Sequence, residues 1–202
     1  GKIINSKSFK ISFPNIVSGS NMKVKVRGVA VSSLSSIMNV KVNGQDAYSL
    51  NFSGVSHLTL ANATVNSKTI PASTNIDVLI DYNNRGNPSA KAYLDYIEVV
   101  GEKNLRVENN QFLFRSFNAA NSTGIVEYKI ENASTISQVW DVTNSVTPQL
   151  VVNQSNGGDF TFKTNGGSLK EYAVITDSGF VIPKKDKTNI ANQNLHAIKD
   201  VN

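Results

Sequence analysis

"MKVKVRGVAV", residues 22–31, is the stretch on which the fold turns. Met22, Val24 and Val26 fall on one side of an extended chain, and Lys23, Lys25 and Arg27 fall on the other. Side chains alternate across a strand, so a period of two marks a strand with one face in a core and the other in water. "IDVLIDY" (76–82) repeats the pattern, with Ile76, Val78, Ile80 and Tyr82 opposite Asp77 and Asp81. In "NVKVNGQDAYSL" (39–50), Asn43 and Gly44 stand between two short alternating runs. A two-residue type I′ turn needs positive φ at both central positions, which Asn and Gly tolerate, so this stretch predicts a β-hairpin. "KAYLDYIEVVG" (91–101) closes the first half and reads as a strand apolar on both faces.

The second half has the same texture. "NQFLFRSF" (110–117), "IVEYKIEN" (125–132), "SQVWDVTN" (137–144), "PQLVVNQ" (148–154), "DFTFKT" (159–164) and "KEYAVIT" (170–176) are strand-length. Clusters such as Asn156-Gly157-Gly158 and Asn165-Gly166-Gly167 separate them. No window carries a helical stripe. The sequence therefore predicts an all-β protein: an N-terminal jelly-roll-like β-sandwich, a smaller antiparallel β-sheet unit and an extended C-terminal connector. Polar residues in "GEKNLRVENN" (101–110) interrupt the hydrophobic runs, so the expected division is 1–104, 105–180 and 181–202.

Composition narrows the function. Forty per cent of the 202 residues are hydrophobic, enough for a packed core, while only 17% are charged. The net charge is +5, but the lysines are spread along the chain and the one dense run, "KKDK" (184–187), reads as a solvated loop rather than a nucleic-acid site. No apolar run approaches the roughly 20 residues of a membrane span. There is no cysteine, hence no disulfide, thiolate metal site or Cys nucleophile.

Catalytic constellations are correspondingly sparse. His57 and His196 are the two histidines and share no metal-ligand spacing, and no Gly-x-Ser-x-Gly elbow occurs. No cofactor is expected. Most carboxylates sit at the polar positions of alternating strands. Asp95 differs, lying between Tyr93, Leu94, Tyr96 and Ile97, where a carboxylate calls for a partner, expected from a neighbouring loop. Trp140, among the valines of "VWDVT" (139–143), is expected in the core.

Two stretches carry a family resemblance. "VEYKIENASTISQVWDVTNSVTPQLV" (126–151), followed by "FTFKTNGGSLKEYAVITDSGFVIPKKDKTNIANQNLHAIKDVN" (160–202), resembles the segment just ahead of the catalytic domain in gingipain-like cysteine peptidases of Bacteroidetes. Within that family it is most similar to the type IX secretion sortases. The match rests on Val139-Trp140-Asp141-Val142-Thr143, on the Phe180 to Pro183 connector and on Asn192-Gln193-Asn194-Leu195-His196. The resemblance implies a parent that is exported to the outer membrane or cell surface and trims C-terminal signal domains from secreted cargo through a thiolate. The thiolate and its histidine would lie in a peptidase domain after residue 202, and no residue here matches them. This chain would be the non-catalytic accessory region, contacting the downstream peptidase domain and possible cargo or an outer-membrane partner protein. Candidate structural or interaction residues are Trp140, Asp141, Asp95, Tyr96, Tyr82, Asn192 and His196. Residues 192–202 are expected to hold no regular element of their own. Two alternatives stand beside this reading: a glycan-binding sandwich using Tyr48, Phe52 and Tyr82, and a structural adhesin-type sandwich.

Overall fold

The computed structural model describes residues 5–57 and 60–185, and the chain divides into two compact units, Gly1–Arg106 and Val107–Asn202. Among the described residues, thirteen strands are accompanied by a five-residue helix, Phe117–Asn121, and two single 3₁₀ turns. All strand pairings are antiparallel.

In the first unit the strands are β1 (Ser6–Ser12), β2 (Asn21–Val31), β3 (Ser36–Val42), β4 (Gln45–Phe52), β5 (Asn62–Pro71), β6 (Asn75–Asn83) and β7 (Lys91–Gly101). They form a four-stranded sheet, β1-β6-β3-β4, and a three-stranded sheet, β5-β2-β7. The chain changes sheet after β1, β2, β4, β5 and β6, which is the interleaving of a jelly-roll-like sandwich. Period two does what the sequence requires of it. Met22, Val24 and Val26 of β2 meet Met38, Val40 and Val42 of β3, Leu50 and Phe52 of β4, and Ile76, Val78 and Ile80 of β6 in one buried core.

The β3–β4 connection is the predicted two-residue turn, with φ of 50° at Asn43 and 78° at Gly44. It is also tied to β6. The Asn43 amide donates to the Asp77 carbonyl at 2.8 Å, and the Asp77 amide donates to Asn43 Oδ1 at 2.9 Å.

β7 departs from its reading as a strand apolar on both faces. Arg27 of β2 is opposite Tyr96 while Gly28 is opposite Leu94, so Asp95 is an inserted residue with no cross-strand partner: a β-bulge. The bulge shifts the phase of the alternation. Ala92 and Leu94 point inward before it, Ile97 and Val99 after it. Apolar residues on even and then odd positions thus serve one face, not two.

In the second unit β8 (Gln111–Arg115), β10 (Ile136–Asp141), β11 (Gln149–Val151) and β13 (Glu171–Thr176) form a sheet in the order β11-β10-β13-β8, and β9 (Ile125–Ile130) pairs with β12 (Phe160–Asn165). An aromatic cluster holds this unit. The rings of Phe114, Tyr128, Phe162 and Tyr172 lie with centroids 4.9–5.4 Å apart in stacked, tilted and edge-on pairs. Ile130, Val139, Phe160 and Val174 are buried with them. Trp140 is not part of this core: Val139 takes the inward position of β10, and the period of two turns Trp140 to the opposite face, where it is half-buried.

Candidate functional site

The outer face of the β5-β2-β7 sheet gathers the most chemistry. Strand β2 runs down its middle and presents Lys23, Lys25, Arg27 and Val29, while β7 contributes Tyr93, Tyr96 and Glu98 from one side and β5 adds Val65 and Ser67 from the other. Tyr93 and Tyr96 are three residues apart, so in a regular strand they would face opposite ways. The bulge at Asp95 puts both rings in solvent, at 56% and 36% exposure. Arg27 Nη1 lies 2.7 Å from Asp95 Oδ2, and Lys25 Nζ lies 2.8 Å from Glu98 Oε2. The hydrogen bond to Glu98 raises the Lys25 pKa above its ordinary value, so this ammonium stays charged throughout the neutral range. The partner of Asp95 is therefore an arginine on the neighbouring strand, not a loop, and the carboxylate is partly exposed rather than buried.

The three aromatics expected to serve as sugar platforms are not available. Phe52 is buried in the sandwich. Tyr48 points inward from β4, and its hydroxyl donates to the Val24 carbonyl at 3.1 Å; burial pushes its pKa up to about 12. The Tyr82 hydroxyl is also enclosed, with no hydrogen-bond partner among the described residues. These are sandwich residues by position, since Tyr48, Leu50 and Phe52 of β4 and Ile76, Val78, Ile80 and Tyr82 of β6 turn inward.

Trp140 and Asp141 occupy the second unit. The Trp140 indole Nε1 donates to Gln138 Oε1 at 3.0 Å, and the ring stands in a cross-strand row with Leu150 on one side and Ala173 on the other, Leu113 following beyond Ala173. Leu113 and Leu150 are more than half exposed. Asp141 closes the strand, its Oδ1 accepting the Thr143 amide at 3.0 Å. Asn192 and His196, and with them the expectation for residues 192–202, lie outside the described residues.

Of the predicted residues that are described, Asp95 and Tyr96 come together on the outer face of the first unit, and Trp140 and Asp141 share β10 in the second. Tyr93 carries no site signal in the sequence, because its exposure depends on an inserted residue that alternation cannot reveal. Among the described residues no three His, Cys, Asp or Glu side chains are grouped to hold a metal ion, and no helix is long and apolar enough to cross a membrane. With no cysteine, the chain cannot supply a peptidase thiolate.

Comparison with known proteins places this fold. No family model matches the sequence, and no curated protein matches it significantly. Among solved structures, the chain is similar to part of dimeric latent PorU from Porphyromonas gingivalis, with a TM-score of 0.71 and 17% identity. The likeness covers 87% of this chain and 18% of the PorU chain. At that identity what is shared is the β-rich fold. Carbohydrate-binding module CBM36 in complex with calcium and xylotriose matches at a TM-score of 0.35 and 20% identity, over 47% of this chain and 72% of that one, too low for a common fold.

Proposed function

We propose that this chain is a non-catalytic β-rich accessory region of a gingipain-like cysteine peptidase of the PorU type, exported to the cell surface or outer membrane. The observation that carries the reading is the fold likeness to PorU over most of this chain and less than a fifth of that one. The resemblance of residues 124–202 to the segment ahead of the peptidase domain supports it independently. In this reading the region sets the peptidase at a fixed distance from the surface and contacts the C-terminal signal domain of cargo. Its contribution is positional, since the acyl-enzyme chemistry requires a thiolate from elsewhere in the polypeptide.

The row of Leu150, Trp140, Ala173 and Leu113 is the surface this role would use, because a half-buried tryptophan in line with exposed leucines suits the dry centre of a protein contact. The test is a binding titration of the purified chain, immobilised, with a C-terminal signal domain from a type IX cargo. The reading expects saturable binding that Trp140→Ala weakens, with the signal domain recovered uncut. Absence of binding, or binding indifferent to Trp140→Ala, counts against cargo contact.

A further inference from the structure

The first unit carries a feature that this role does not use. We propose that the outer face of β2 and β7 is a binding platform for an uncharged oligosaccharide, built on Tyr93 and Tyr96. The bulge is the starting point. It interrupts the pairing of the strand that crosses the sandwich beside β2, and its effect on the outer face is to bring Tyr93, Asp95 and Tyr96 to the same side. An inserted residue that re-aims side chains is a feature of binding surfaces. A merely solvated face would be served as well by short polar residues, whereas two phenol rings leave a large apolar area in water.

The charges beside the rings select the ligand class. Arg27 is paired with Asp95 and Lys25 with Glu98, so the middle of the face is charge-balanced, with Lys23 and Lys91 standing at its two ends. It offers guanidinium and ammonium donors interleaved with carboxylate acceptors, each able to bond a hydroxyl as well as its ionic partner. Flat apolar rings flanked by alternating donors and acceptors match a sugar, which presents C–H faces and a rim of hydroxyls. A protein interface fits less well, because its buried centre would have to desolvate both ion pairs. Val65 and Val29 extend the apolar floor beside Arg27 and Tyr93, and Ser67 adds a hydroxyl beside Lys25.

The test is calorimetric titration of the whole chain with cellohexaose, xylohexaose and laminarihexaose, repeated with Tyr93→Ala and Tyr96→Ala. The proposal expects at least one of the three to bind. Each substitution should weaken that binding about tenfold or more, the loss of one stacked ring, while Val146→Ala, an exposed side chain of the other unit, changes nothing. Amide shifts of the unsubstituted chain, followed during the same titration, should move in β2 and β7, which keeps the proposal testable even if a variant folds poorly. Failure of all three sugars to bind overturns the proposal, as do shifts confined to other strands or affinities indifferent to both tyrosines. A concentration-dependent dimer abolished by Tyr93→Ala would overturn it too, assigning the face to a second copy. None of these outcomes depends on cargo binding, so the accessory-region reading stands or falls separately.

Discussion

Asp95 sits in what looks like an apolar strand, and its position changes what its neighbours do. Were Asp95 paired in regular alternation instead of bulged, Tyr93 or Tyr96 would have to enter the sandwich, displacing Leu94 or Ile97 from it. In the second unit, likewise, the inward side chain of β10 is Val139, while Trp140 bonds its indole to Gln138 on the opposite face. That contrast predicts unequal costs of truncation. Phe162→Ala, which empties the middle of the aromatic cluster, should lower stability by about 3–5 kcal/mol, and Trp140→Ala by well under half of that, read from urea unfolding at constant m. Equal losses would return the tryptophan to the core. Tyr48 predicts a pH dependence. Its folded pKa of about 12 stands above the ordinary value of 10.0, so the folded state keeps a proton that the unfolded chain releases. Its contribution to stability is thus complete below pH 10 and lost as pH rises towards about 12. Tyr48→Phe should flatten that part of the alkaline unfolding curve, with the remaining slope coming from Tyr128 and Tyr172, which burial also raises.

At the scale of elements, β2, β6 and the β3–β4 hairpin were legible because each obeys one rule without exception: an unbroken alternation, or a turn dipeptide whose φ values only a few residues accept. Gly44 makes this measurable. Its φ is 78° and a Cβ there would meet no neighbour, so Gly44→Ala should cost about 1–2 kcal/mol through backbone conformation alone. A neutral substitution would mean the turn can change type. Gly179, in the 3₁₀ turn Asp177–Gly179 that follows β13, tests the opposite cause. There a Cβ would stand 2.2 Å from the Asn110 carbonyl oxygen, so Gly179→Ala should destabilise the second unit by displacing backbone rather than by twisting it. What was not legible follows the same logic. One inserted residue in β7 converts an alternating pattern into one that looks apolar on both sides. Tyr48, Phe52 and Tyr82 read as surface candidates because aromatic residues carry no label of direction, although the phase of their own strands turns them inward. Around β10, two valines beside a tryptophan suggest a core, but Val139 alone of the three is fully buried, and Val142 follows the end of the strand. The helical turn Phe117–Asn121 is too short for any periodicity; Ser116 caps it, accepting the Ala119 amide at 3.1 Å.

At the scale of the whole molecule, a jelly-roll-like sandwich and a smaller aromatic-centred sheet unit share a chain without cysteine, and their fold likeness spans 87% of it and 18% of PorU. The account drawn from this is that the chain acts as part of a larger exported peptidase, supplying surfaces and spacing while the thiolate lies elsewhere. In the roles proposed above, the two faces would divide that work, the tryptophan row in one unit meeting a polypeptide and the tyrosine platform in the other a saccharide. The central claim concerns the polypeptide to which these residues belong, and it can be tested on the native material. An antibody raised against residues 5–185 would be used to capture its antigen from the envelope fraction of cells carrying the gene, and the captured polypeptide would be sized and sequenced by mass spectrometry. The account predicts a surface-exposed polypeptide several times longer than 202 residues, whose peptides include a cysteine and a histidine in a peptidase domain following this region. A captured polypeptide no longer than these residues, or a longer one without such a domain, would contradict it.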